Sequence, residues 1–155
     1  MIAVTGSGGY LGKYLFEKKI FKKLKRDFIK KNKNIYGRHF IHLAALSIFD
    51  CNKSFSKSMK VNCDYAVSAL EFAIKNKFKN FIFFSSTQVY GNSLVGKIDE
   101  KTMLNPDNNY GLSKFYAEKK LKRKAKGNIN LIILRVSNVV NPYYKTGCSQ
   151  GYKPF

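Results

Sequence analysis

A chain of 155 residues with 45% apolar and 15% aromatic content has the size and composition of one domain with a packed interior, and no run approaches the roughly 18 consecutive apolar residues of a membrane span. Three cysteines, Cys51, Cys63 and Cys148, are an odd number with no close spacing, so neither a disulfide framework nor a metal site is expected. The formal net charge of +20 points towards a polyanion, but only Arg26, Arg38, Arg123 and Arg135 of the 29 basic residues carry arginine's base-reading fork, so a solvated basic surface is preferred over nucleic-acid binding.

The first residues, Met1 to Gly6, carry no basic residue ahead of their apolar run and differ from a secretory leader, which predicts a soluble, cytoplasmic protein. Residues 2–5 are apolar and β-branched and stop at glycine, the pattern of a buried strand. From Tyr10 to about Lys31, Leu11, Tyr14, Leu15, Phe21, Leu24 and Phe28 fall at three- and four-residue steps and predict one long helix. His39 to Ala44 reads as a second strand, and residues 57–77 as a helix with Met59, Cys63, Ala66, Val67, Leu70, Ala73 and Ile74 on one face. A strand over 80–85, a loop from Gly91 to Asn109, a helix over 109–125 and a strand over 130–136 complete the series. Strands alternating with helices imply an α/β fold with a mostly parallel sheet covered on both faces.

Two constellations carry chemistry. In Thr5-Gly6-Ser7-Gly8-Gly9-Tyr10-Leu11-Gly12, the glycines at 6, 9 and 12 are each three apart, after a strand and at the start of a helix. Gly6 suits a tight turn, Gly9 lets backbone approach a diphosphate, and Gly12 lets the helix pack closely on the strand. The helix start adds free N–H groups for the phosphates. The second constellation joins Tyr110 and Lys114, one helical turn apart, to Ser85-Ser86-Thr87 at the end of a strand, with Ser86 lying 24 residues before Tyr110. Tyrosine followed by lysine at this spacing recurs at Tyr14/Lys18 and Tyr116/Lys120, so it is the strand end nearby that distinguishes Tyr110. A cation beside a phenol favours the phenolate, whose unperturbed pKa is about 10, and so suits a tyrosine that exchanges a proton near neutrality.

The motifs TGSGGYLG, His42-Leu43-Ala44-Ala45, Asn62, FFSSTQVYG (83–91) and YGLSK (110–114) stand in this order, and the segment LRVSNVVNP (134–142) follows. In these places the chain resembles the N-terminal Rossmann part of the extended short-chain dehydrogenase/reductases, the NAD-dependent epimerase/dehydratase family. The resemblance implies a Rossmann-like, three-layer, doubly wound and mostly parallel sheet over residues 1–142, abbreviated between its second and third strands. Residues 143–155 would then be the stub at which a substrate lobe begins. It implies that Ser86, Tyr110 and Lys114 are catalytic, with Lys114 both orienting the nicotinamide ribose and tuning Tyr110. It also implies that NAD or NADP is held by Gly6, Gly9, Tyr10, Leu11, Gly12, Leu43, Ala44, Ala45, Asn62, Ser85, Tyr110 and Lys114.

The activity implied is hydride and proton transfer at a sugar hydroxyl of a nucleotide sugar. Where the family's 4,6-dehydratases carry Asp-Glu, this chain has Thr87 and Gln88, which favours an epimerase or reductase. No acidic residue marks the end of a second strand, since Asp27 falls within the predicted helix, and Lys31, Lys33 or Arg38 would suit a 2′-phosphate equally well, so the sequence does not separate NAD from NADP. The resemblance further implies a homodimer through the helices near 57–77 and 109–125. A catalytically inactive remnant of the same family and a basic nucleic-acid binder are the competing readings.

Overall fold

The computed structural model describes residues 1–16, 21–25, 29, 35–92 and 96–137. Five strands, β1 (Ile2–Thr5), β2 (Phe21–Leu24), β3 (His39–His42), β4 (Asn80–Ser86) and β5 (Asn130–Val136), form one parallel sheet in the order β2-β1-β3-β4-β5. Helix α1 (Tyr10–Phe16) connects β1 to β2. Between β3 and β4 come α2 (Ile48–Lys53), α3 (Phe55–Ser58), a wide π turn over Met59–Asp64 and α4 (Tyr65–Lys75), and α5 (Asn109–Ala125) connects β4 to β5. The connection leaving β1 runs one way along the sheet, whereas those leaving β3 and β4 run the other. Right-handed crossovers therefore place α1 on one face and α4 with α5 on the other, which makes the sheet doubly wound.

The strand over Phe21–Leu24 corrects the single helix expected from Tyr10 to Lys31. A three-residue step between Phe21 and Leu24 fits a helix, and lysine is a good helix former, so local pattern alone misleads. The pairing that decides the matter is long-range: Ile2 to Thr5 lie opposite Phe21 to Leu24 in parallel register. As an edge strand, β2 tolerates Lys22 and Lys23, both exposed, because charge on an edge does not have to be buried. Most of the connection from β2 to β3, residues 26–28 and 30–34, lies outside the described residues.

The larger core lies between the sheet and the α4/α5 layer. Phe40, Phe81 and Phe83 project from β3 and β4 onto Ala66, Ala69, Leu70 and Ala73 of α4 and onto Ala117 and Leu121 of α5, all fully buried. Phe40 stacks on Phe81 with ring centroids 5.4 Å apart and meets Phe78 edge-on at 5.3 Å. Rings on the strands and alanines on the helices are complementary in volume, so two helices can sit close against a flat aromatic layer. Asn76, the residue after α4, accepts from the Ile35 amide and donates to the Phe72 carbonyl, which ties the end of α4 to the segment leading into β3. On the far edge β5 is less covered, with Ile132 37% and Leu134 40% exposed.

The strand expected over 39–44 ends at His42, where the chain leaves the sheet after one last bond from the Leu43 amide to the Thr5 carbonyl. The helix expected over 57–77 is the run from Phe55 to Lys75, widened by the π turn. A helix over Ile48–Lys53 has no counterpart in the sequence reading. Its signal is Ser47 three residues ahead of Asp50, and the Ser47 hydroxyl accepts from the Asp50 amide at 3.1 Å.

Candidate functional site

The order β2-β1-β3 reverses direction at β1, and the carboxyl ends of β1 and β3 open a crevice there. The chain leaves β1 at Gly6 with φ of +76°, a left-handed conformation that glycine adopts without strain. A Cβ at Gly6 would stand 2.5 Å from the Ala44 amide nitrogen, and a Cβ at Gly12 would stand 2.3 Å from the Gly6 carbonyl oxygen. Packing of the turn against β3 and of α1 against the turn therefore accounts for both. Gly9 differs. A Cβ there would meet nothing closer than the Gly6 carbonyl at 3.5 Å, yet the residue borders the cleft.

That cleft, about 420 Å³, runs from the glycine turn past the ends of β3, β4 and β5 to the start of α5. Gly6, Gly9, Tyr10, Leu11, Gly12, Leu43 and Ala45 border it, and Ser85, Ser86, Tyr110 and Lys114 border the same space. Every site residue expected from the sequence borders this one cavity except two. Ala44 does not line it; its backbone is what Gly6 packs against. Asn62 does not line it either. Buried in the π turn, Asn62 accepts from the Leu46 amide at 2.7 Å and donates to Ser113 Oγ at 3.0 Å, so it holds a wall of the cleft against α5. Leu46, Ser47 and Ile48 form that wall and were not foreseen from the sequence, where the Ser47 cap of α2 was the one available signal. No aspartate or glutamate lines the cleft among the described residues.

Local structure explains why Ser86 and Tyr110 share this space. Ser86 ends β4 and its hydroxyl caps the following turn over Thr87–Tyr90, accepting from the Gln88 amide at 3.2 Å. Asn108 caps α5, accepting from the Gly111 amide at 2.9 Å while donating to the Gln88 side-chain carbonyl at 2.9 Å. A Cβ at Gly111 would lie 2.4 Å from the Gln88 backbone oxygen, so the glycine lets the first turn of α5, with Tyr110, press against the end of β4. Lys114, only 3% exposed, donates from Nζ to the Phe84 carbonyl at 2.8 Å, with Nζ 5.8 Å from the centre of the Tyr110 ring. Burial pushes the Lys114 pKa down to about 8, against the opposing pull of Cys51 and Glu118. His42, beneath the crevice, is driven down to about 3 by burial with the Lys114 charge adding to it, so it is neutral; its Nδ1 shares a 2.9 Å hydrogen bond with the Thr5 hydroxyl.

Behind the cleft lies a second polar layer that the sequence reading did not find. Glu118, 1% exposed, receives the Ser85 hydroxyl at 2.6 Å and a fork of two Arg135 bonds at 2.8 and 3.1 Å. Arg135 also donates to Tyr90 Oη at 2.9 Å, and Tyr90 in turn donates to the Asp99 carbonyl at 2.8 Å. The hydrogen bond to Glu118 holds Arg135 above its ordinary pKa. Ser85 thus borders the cleft with its hydroxyl committed to Glu118. The only trace in the sequence is that Glu118 follows Lys114 by one helical turn.

The sequence profile of the NAD dependent epimerase/dehydratase family matches residues 23–151. The chain belongs to this family. It is 32% identical over 150 residues to a dTDP-D-glucose 4,6-dehydratase of Dictyostelium discoideum, a match that spans 87% of this chain and 31% of that protein. Among solved structures, RMD from Pseudomonas aeruginosa in complex with NADPH superposes with a TM-score of 0.79 at 21% identity, over 93% of this chain and 55% of that one. UDP-glucose 4-epimerase from Thermotoga maritima with UDP-glucose gives 0.78 at 24% identity, over 94% and 59%. The chain thus spans about a third of the family's curated relative and little more than half of these structures. Among the described residues no helix is long and apolar enough to cross a membrane.

Two outcomes follow from the buried charges. Arg135→Met strands the Glu118 carboxylate and costs about 3–5 kcal/mol in urea denaturation, whereas Arg135→Met combined with Glu118→Leu recovers most of the loss. Lys114 has a folded pKa of about 8 against 10.5 unfolded, so the unfolded chain binds more protons between these values and wild-type stability gains from this group as pH rises from 8 to 10.5. Lys114→Met removes this pH dependence, so the stability difference between the variant and wild type shifts towards wild type as pH rises from 8 to 10.5, read by urea denaturation at both ends of the window.

Proposed function

We propose that this chain is the cofactor-binding half of a nucleotide-sugar epimerase or reductase, with NAD or NADP in the cleft at the glycine turn and a substrate lobe beyond residue 142. The observation that carries the reading is Gly9: its lack of a side chain is not demanded by packing within the protein, and it faces the cleft that Ser86, Tyr110 and Lys114 also border. A diphosphate approaching the backbone of the turn is the partner such a glycine fits. Tyr10, Leu11, Leu43, Ala45 and Ser85 would flank the dinucleotide, and Lys114 would reach its ribose. The nicotinamide, when bound, supplies hydride exchange at the carbon bearing a sugar hydroxyl.

The chain's own residues then handle the proton. Tyr110 takes it from, or returns it to, the hydroxyl oxygen, and Ser86 hydrogen-bonds that same oxygen. Lys114, still largely protonated at neutrality with a pKa of about 8, steadies the negative charge that grows on the phenol oxygen. Elimination of water calls for a further acid and base, and the positions beside Ser86 are Thr87 and Gln88, the latter tied to Asn108. With no carboxylate among the described lining residues, epimerisation or reduction is favoured over the dehydration named for the Dictyostelium relative.

Titration of the purified chain with NADH and NADPH should change the fluorescence of at least one, and flat titrations with both would overturn the reading. Gly9→Ala should leave unfolding within about 0.5 kcal/mol of wild type, since the new methyl meets only an ordinary contact. The same methyl should weaken dinucleotide binding about tenfold through overlap with the diphosphate. By the family resemblance, the chain is proposed to form a homodimer through the helices near 57–77 and 109–125. Sedimentation at micromolar concentration should show two chains, and a monomer throughout would reject the pairing.

A further inference from the structure

We infer that the dinucleotide selected is the 2′-phosphorylated one, with Lys25 as a residue that discriminates NADP from NAD. The inference rests on dinucleotide binding at the glycine turn, as proposed above, and adds which dinucleotide. In this fold the ribose of the adenosine half lies over the carboxyl end of the second strand, where a carboxylate bonds the 2′- and 3′-hydroxyls of NAD and a cation takes the 2′-phosphate of NADP.

Finding β2 locates that end. Leu24 pairs with Thr5, so Lys25 follows β2 at the level where Gly6 follows β1, about one strand spacing of 4.8 Å away. Leu24 is buried in the core and fixes the strand, and Lys25 emerges from it exposed. Lys23, one pleat earlier, is exposed as well. The described residues of the chain before Asp50 include no aspartate or glutamate. A monoester phosphate bears close to two negative charges at neutrality, so an exposed ammonium at the end of β2 favours the phosphorylated ribose by direct charge-assisted contact.

The placement also corrects which basic residues matter. Arg38 immediately precedes β3, and its amide donates to the Met1 carbonyl, so it sits at the amino end of the sheet, opposite the glycine turn. Lys31 and Lys33 lie outside the described residues.

The test is binding, measured by calorimetry on the purified chain with NADPH, NADH, adenosine 2′,5′-bisphosphate and 5′-AMP. NADPH is expected to bind at least about tenfold tighter than NADH, as one charge-assisted contact supplies. Adenosine 2′,5′-bisphosphate is expected to compete with NADPH where 5′-AMP does not. Lys25→Gln, a surface change that leaves the fold intact, is expected to remove most of the NADPH advantage and leave NADH affinity unchanged. Equal affinities, or an NADH preference that Asp27→Asn abolishes, would overturn the inference while leaving dinucleotide binding in place. Binding of neither dinucleotide would remove the reading beneath it.

Discussion

Everything in the cleft depends on how closely two pieces of backbone meet at the carboxyl end of β1. Gly6 rests against the Ala44 backbone, and Gly12 brings α1 down onto the Gly6 carbonyl, at separations that would place any Cβ 2.3–2.5 Å from its neighbour. These contacts fix the turn as a rigid lip. With the lip held by Gly6 and Gly12, Gly9 is left free of packing duties on the side that faces the crevice, and the strand order puts the ends of β3 and β4 directly across from it. A site is made here from a constraint on backbone approach rather than from any one reactive side chain.

The electrostatics of the opposite wall follow a second constraint. Lys114 is buried at a cost in stability and is held there by the Phe84 carbonyl. Four residues further along α5, Glu118 is buried too, but it is paid back by the Arg135 fork and the Ser85 hydroxyl. The two charges are unequal partners: Glu118 is fully satisfied by groups behind the cleft and opposes the desolvation of Lys114 only at a distance. The lysine therefore remains responsive to whatever enters the cleft, which is the trade of stability for function expected at such positions.

The features legible in the sequence were those whose cause is local. A glycine spacing after a β-branched run, a Tyr-Lys pair one helical turn apart and a Ser-Ser strand end can each be read from a short window, and the structure gathers Ser86, Tyr110 and Lys114 with the glycine turn around one space. What escaped has its cause elsewhere in the chain. Phe21 to Leu24 form a strand because β1 needs a neighbour, not because of their own pattern. Asn62 was expected at the cofactor; its side chain is bonded to Leu46, Cys51 and Ser113, groups that only the tertiary fold brings together. The Glu118–Arg135 fork joins residues from α5 and β5 that no window holds together.

Among the described residues, the two borders of the sheet differ in what they can accept beside them. On the β2 side, Lys22 and Lys23 give an incoming strand a row of ammonium groups to desolvate. Along β5, Ile132 and Leu134 present aliphatic surface to water instead. Among the described residues, the β2 border therefore resists an incoming strand, and the margin at β5 is the one suited to burial against further apolar surface.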